Sequence, residues 1–172
     1  MKIVLGVTGS IAAYKACELV RLFVKRGDDV RVVMTVAAQR FVTPLTFQTL
    51  SRNPVGTDPF APPEAWRPEH IALAEADAVI VAPATANVIA KMAQGLADDL
   101  LTATLLATRA PVFVAPAMND GMWANPATQT NLATLRSRGV TVIEPGTGAL
   151  ACGTEGKGRF AGPEAVFKAV VG

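Results

Sequence analysis

A chain of 172 residues fits one domain with a sizeable core that needs no disulfide. Sixteen basic residues against fourteen acidic ones leave a formal charge of +2 with the signs interspersed, which excludes the concentrated basic face of a nucleic-acid binder. Half of the residues are hydrophobic (51%), but they fall in runs of five to seven, far short of the roughly 18 that a membrane helix needs.

Met1-Lys2 is followed at once by a short β-branched run and a glycine turn, which is not a signal-peptide pattern. Ile3 to Val7 reads as a strand buried on both faces. Ile11 to Arg26 carries apolar residues at helical spacing and stops at Gly27; Val30 to Met34 is the next buried strand. Asn53 to Pro68 is proline-rich and without period, so an irregular excursion is expected there. Ala78 to Ala82 is the third clear strand, followed by helices over Asn87 to Gln94 and Asp98 to Ala107. Pro111 to Ala115 is a strand, Pro126 to Arg138 a helix with proline in its first turn, and Val140 to Ile143 the last strand. Short buried strands alternating with helices predict a single α/β domain over 1–172, its mostly parallel sheet covered on both faces. A binding crevice then belongs at the carboxyl ends of the strands.

Candidate site residues cluster at those ends. Gly6-Val7-Thr8-Gly9-Ser10-Ile11 is not a dinucleotide fingerprint, because the third glycine and the downstream acidic residue are out of place. It still offers backbone N–H groups, a hydroxyl and a helix N-terminus to a phosphate; the plain alternative is a tight turn with Ser10 as helix cap. Thr35 follows the second strand, and Pro83-Ala84-Thr85-Ala86-Asn87 follows the third; these small polar residues either cap helices or line the crevice. Pro116 to Pro126 holds Met118, Asn119, Met122 and Trp123, apolar bulk beside an amide, which suits a substrate pocket, a subunit interface or a plug at the core's end.

The lone histidine, His70, sits near the start of a short helix; with no Cys/His cluster it predicts no metal, and it is a candidate base or an ordinary packed histidine. Pro145 to Gly162 contains six glycines and reads as a mobile flap or as a disordered connection. Cys152 lies within it, where a thiol could be carried onto a substrate as proton donor. Cys17, in the first helix, is most simply packing, and the two distant cysteines read as free thiols of a cytoplasmic protein.

Several segments together resemble the flavin-dependent cysteine decarboxylases: Gly6 to Lys15, Arg40 to Phe47, Glu69-His70-Ile71, Ala82 to Asn87, Gly95 to Thr102, Pro116 to Trp123, and Leu150-Ala-Cys-Gly153 with Gly158-Arg159. The Pro-x-Met-Asn-x-x-Met-Trp motif and the flap cysteine are specific; the glycine turn alone is not. The resemblance implies a Rossmann-like (flavodoxin-like) three-layer fold with a glycine-rich substrate flap over 145–162. It implies bound FMN, with Gly9, Ser10, Ile11, Thr35, Ala84, Thr85, Asn87 and Met118 around it.

The implied reaction converts 4'-phosphopantothenoylcysteine to 4'-phosphopantetheine in coenzyme A biosynthesis. The thiol is oxidised to a thioaldehyde, CO2 leaves, and the enethiol is reduced by the flavin. By resemblance, His70 is the base, Asn119 holds the substrate carboxylate, Cys152 donates the final proton, and Ala151 and Gly153 touch substrate. Arg159 would hold a phosphate or anchor the flap. The family implies homotrimers, grouped in some members into dodecamers with the flavin at a subunit boundary. It also implies fusion to, or association with, a phosphopantothenate–cysteine ligase. The stretch after His70 is one residue shorter than the usual family form. Two other readings stay open: a decarboxylase of a peptide's carboxy-terminal cysteine, and a flavin-binding regulatory subunit without turnover.

Overall fold

The computed structural model describes residues 1–62, 66–149, 151, 153 and 155–172. Six parallel strands form its sheet: β1 (Lys2–Val7), β2 (Asp29–Met34), β3 (Val55–Gly56), β4 (Ala78–Ala84), β5 (Val112–Pro116) and β6 (Thr141–Val142), in the order β3-β2-β1-β4-β5-β6. β1 and β4 are almost wholly buried, as strands covered on both faces must be. Leaving aside the two-residue β3, the order is that of a flavodoxin-like doubly wound sheet, with its switch point between β1 and β4.

Helices cover both faces. On one lie α1 (Lys15–Arg26), α2 (Pro44–Ser51) and α8 (Pro163–Val171), which bury Leu19, Phe23, Phe47 and Val166 against Ile3, Leu5 and Val32. On the other lie α3 (Glu69–Ala74), α4 (Ala86–Gln94), α5 (Leu100–Ala107), α6 (Asp120–Ala124) and α7 (Pro126–Ser137), which bury Leu73, Ile89, Leu101, Trp123 and Leu132 against Val4, Val79 and Val81. The expected helix from Ile11 begins as a 3-10 turn, Ile11–Tyr14, before α1 takes over. Gly27 and Gly95 end α1 and α4 in left-handed geometry, as glycine C-caps do. Asp99 opens α5 through a reciprocal capping box with Thr102.

Several elements differ from the sequence expectation, among them the two-residue β3, which lies inside the stretch expected to be irregular. α2 and the short α6 are helices where no helix was predicted. Val140 to Ile143 is not the last strand: β7 (Gly146–Ala149) and β8 (Glu155–Arg159) pair antiparallel as a separate hairpin. The glycine-rich segment is therefore an ordered ribbon over much of its length, and its register shift between Gly146 and Thr147 bends the entry. Among the described residues no helix is long and apolar enough to cross a membrane.

Candidate active site

The carboxyl ends of β1, β4 and β5 are tied together past the point where ordinary strand pairing stops. The last β1–β4 rung is Gly6↔Val81. Beyond it the buried Thr8 hydroxyl donates to the Pro83 carbonyl (2.6 Å), and Thr8 Oγ1 in turn accepts from the Thr85 amide (3.0 Å). On the far side of β4 the Ala117 amide donates to the Ala84 carbonyl (3.0 Å). Next along, the Met118 amide donates to the Gly158 carbonyl of the hairpin (3.0 Å).

Three further hydroxyls at this edge accept from a backbone amide two or three residues on, Ser10 and Thr85 as helix N-caps. Ser10 Oγ accepts from the Ala12 amide (3.2 Å), Thr35 Oγ1 from Ala38 (3.2 Å) and Thr85 Oγ1 from Val88 (3.3 Å). Capping and ligand binding are compatible here, because a cap fixes the loop whose backbone faces the crevice. Gly9 has no room for a side chain: a Cβ there would stand 2.5 Å from that of Ala37, so the phosphate-type turn packs directly on the loop after β2.

A cleft of about 470 Å³ opens beside this turn, within the ~300–1,000 Å³ usual for small-molecule sites. The 3-10 turn and first residue of α1 supply Ser10, Ile11, Tyr14 and Lys15; the β5–α6 loop supplies Met118 and Asn119; the hairpin supplies Ala149, Ala151 and Arg159. Ile11 and Tyr14 are three residues apart in the 3-10 turn, hence on one face of it. Lys15 and Arg159 bring positive charge, and no carboxylate is among the described lining residues. Asn119 is exposed, and its Oδ1 accepts from the Gly121 (2.9 Å) and Met122 (3.4 Å) amides, which fixes the side chain at the start of α6. A polar turn at a helix start, a hydroxyl and an apolar wall with Met118 make a donor set that fits a phosphorylated ring cofactor.

The hairpin roofs the cleft, and its described residues rest on the β5–α6 loop and on α6, where a Cβ at Gly156 would stand 2.6 Å from that of Asp120. Gly158 has φ +136, and a Cβ there would collide with the Met118 carbonyl oxygen, so only glycine lets the ribbon come this close. Phe160, just beyond β8, is buried in the core on the α1 side. Lys157 reaches Glu144 (3.0 Å) and lies 5.3 Å from the Trp123 ring centre.

The expected site residues thus divide. Ser10, Ile11, Met118, Asn119 and Ala151 line one cleft. Gly9, Thr35, Ala84, Thr85 and Asn87 stand at the same carboxyl edge without lining that cleft. Gly153 is exposed on the hairpin, and Cys152 lies outside the described residues. His70, the second residue of α3, is half-buried in the opposite helical layer and is not among the cleft residues of this chain. Sequence reasoning singled out neither Thr8, Tyr14 and Lys15 nor Phe160. The available signal for Tyr14 and Lys15 was their place in the first turns after the Gly9–Ser10 turn, whereas nothing local distinguishes Thr8 from any other strand-end threonine.

Comparison with known proteins agrees with this geometry. The chain is 53% identical over 167 residues to the coenzyme A biosynthesis bifunctional protein CoaBC of Bacillus subtilis (strain 168), covering 96% of this chain and 41% of the relative. It therefore spans about two fifths of the length of the curated relatives it matches. A solved PPC decarboxylase mutant complexed with pantothenoylaminoethenethiol superposes with a TM-score of 0.87 at 34% identity, covering 98% of this chain and 95% of that one. The FMN-dependent cysteine decarboxylase SpaF superposes at 0.82 with 32% identity, covering 99% and 98%. The Flavoprotein family model matches residues 1–172 throughout, and the chain belongs to that family.

Proposed function

We propose that the chain is an FMN-dependent carboxy-lyase that converts 4'-phosphopantothenoylcysteine to 4'-phosphopantetheine in coenzyme A biosynthesis. The observation that carries the reading is the cleft itself. It brings the Ser10 turn, Met118, Asn119 and the hairpin together around Lys15 and Arg159, with no carboxylate among the described lining residues. The similarity to CoaBC and to a PPC decarboxylase structure supports the same substrate class.

The chemistry explains the need for a flavin. Loss of CO2 directly from a cysteine carboxylate would leave a carbanion with no electron sink. When bound, FMN supplies a reversible two-electron oxidation of the thiol-bearing carbon, so that a thioaldehyde can accept the electrons released with CO2. Gly9, Ser10, Ile11 and Thr35 would hold its phosphate end, and Ala84, Thr85, Asn87 and Met118 its ring. Asn119 binds and orients the substrate carboxylate through its amide. His70 takes a proton in the oxidative half. Cys152 returns a proton to carbon in the reductive half, and Ala151 and Gly153 position the substrate from the hairpin.

His70 lies in a different layer from the cleft of its own chain, which fits a site shared between copies, with His70 serving a neighbour's cleft. Ile11 and Tyr14 on the cleft rim, with Val36 and Phe41 in the segment after β2 and Leu45 at the start of α2, are exposed apolar groups that such a neighbour would cover. A homotrimer, alone or grouped into a dodecamer, meets this requirement. The relatives' bifunctional names support fusion to, or association with, a phosphopantothenate–cysteine ligase. A cytoplasmic location follows from that metabolic role.

The likeness to a solved peptidyl-cysteine decarboxylase, EpiD (TM-score 0.81, 25% identity), favours a second reading, decarboxylation of a peptide's carboxy-terminal cysteine. Lys15 and Arg159 suit a phosphate dianion better than a peptide backbone. Flavin-loaded protein given 4'-phosphopantothenoylcysteine is expected to release CO2 and yield 4'-phosphopantetheine; no CO2 from a flavin-loaded oligomer refutes the assignment. His70→Asn should cost roughly 10²–10⁴ in CO2 release. Cys152→Ser should still release CO2 but accumulate the enethiol, and an unchanged phosphopantetheine yield would remove its proton-donor role.

A further inference from the structure

We infer that Thr8 is a positioning residue for the cofactor: its hydroxyl fixes the spacing between the Gly9–Ser10 turn and the Thr85–Asn87 loop, so that both can grip one FMN. The inference rests on the flavin-binding reading above and goes beyond it, because Thr8 is not itself a cleft-lining residue.

At the switch point β1 and β4 must part, since their connections leave toward opposite faces of the sheet. Their backbone pairing ends at Gly6↔Val81. Pro83, two residues on, has no N–H with which to resume a ladder. The Thr8 side chain substitutes for the missing rungs. It donates to the Pro83 carbonyl (2.6 Å) and accepts from the Thr85 amide (3.0 Å), linking segments 75 and 77 residues apart in sequence. It is 1% exposed, so water does not compete for either bond.

Both neighbours of this bridge are binding elements. Thr8 is followed directly by Gly9 and Ser10. Thr85 is the N-cap of α4, and its own hydroxyl holds the Val88 amide (3.3 Å), so fixing its backbone also fixes where α4 begins. The lateral chain of bonds continues from Ala84 to Ala117 and from Met118 to Gly158. Thr8 thus stands at the β1 end of a belt that crosses the carboxyl edge to the hairpin. Without its hydroxyl, the Pro83 carbonyl and Thr85 amide are left to find water or shift, and the crevice loses its set width.

The test compares Thr8→Val, Thr8→Ala and Thr8→Ser. Each protein is stripped of flavin and titrated with FMN, following flavin fluorescence and the visible absorption band, with thermal melting of the flavin-free form measured in parallel. Thr8→Val keeps the shape and drops the hydroxyl; its FMN dissociation constant is expected to rise roughly ten- to a hundredfold with an altered visible band. Thr8→Ser keeps the hydroxyl and should restore wild-type affinity to within about threefold. A general loss of stability alone would lower the melting temperature and leave the affinity and band of the folded protein unchanged. That result in Thr8→Val, or a Thr8→Ser variant as weak as Thr8→Val, overturns the inference. If Thr8→Val fails to fold, Thr8→Ala takes its place; if neither folds while Thr8→Ser does, the hydroxyl is a folding determinant and the inference also fails. Wild-type protein that takes up no FMN would instead overturn the flavin-binding reading on which all this rests.

Discussion

The switch-point edge of the sheet and the β7–β8 hairpin face each other across one cleft, yet they are built on opposite terms. The first is framed by buried strands, with Thr8 bonded to Pro83 and Thr85 and, on the far side of β4, Ala117 bonded to Ala84. The second is a two-stranded ribbon joined to the rest by the Met118–Gly158 bond, the buried Phe160 and the Lys157 contacts. An isolated hairpin is marginal in water, so those anchors decide whether it stays over the cleft. A cofactor grip belongs on the rigid side and a substrate cover on the lightly held side. Damage to the two should therefore read out differently: flavin affinity for the first, substrate handling for the second.

The largest test of that contrast is Phe160→Ala. Emptying a buried phenylalanine site costs about 3–5 kcal/mol, and the melting temperature should fall accordingly. At temperatures where the variant remains folded, substrate KM should rise while FMN binding is kept; loss of FMN in step with substrate would break the contrast. Gly158→Ala comes next. Adding a side chain at φ +136 against the Met118 carbonyl should cost about 1–3 kcal/mol and lift the ribbon, which limited proteolysis within 146–159 would detect. Unchanged cleavage would mean the ribbon is not held there.

A smaller effect lies at the other end of the sheet, far from the cleft. Burial pushes the Asp28 carboxyl up, but its bonds to Arg26 (2.7 Å) and the terminal amine (2.9 Å) outweigh this and leave it lowered. A carboxyl lowered by folding contributes stability above its unfolded pKa and loses it as pH falls through its folded one. Asp28→Asn should therefore cost about 1 kcal/mol at neutral pH, shrinking in acid, with turnover unaffected. Equal losses at both pH values would reject the ion pairs as the source. Smallest of all, Lys157→Met removes a cation over Trp123 and an exposed ion pair, and should cost about 0.5–1 kcal/mol, less in high salt.

The same contrast explains what could be read from the sequence. β1, β2, β4 and β5 are buried on both faces and announce themselves as apolar runs, and α1 and α7 end where glycine or polar residues say they should. Their order then implied where the crevice lies. α2 escaped detection because it buries only Phe47 and Ser51, too few positions to print a period. α6 is five residues long, and the hairpin's glycines leave almost no side chains to alternate. Asn119 and Ser10 were legible because they follow strands directly. His70 was legible as a residue but not as a location: the helix that carries it lies in the other layer, a property of chain winding that no local pattern encodes.

The outer strands β3 and β6 have two residues each. Sheets with long free borders tend to recruit further strands and grow into aggregates, and very short borders deny them a template. Copies of this chain therefore have little means of joining sheet to sheet. The self-association proposed above would then fall to helices and loops, where the apolar side chains around the cleft rim already lie.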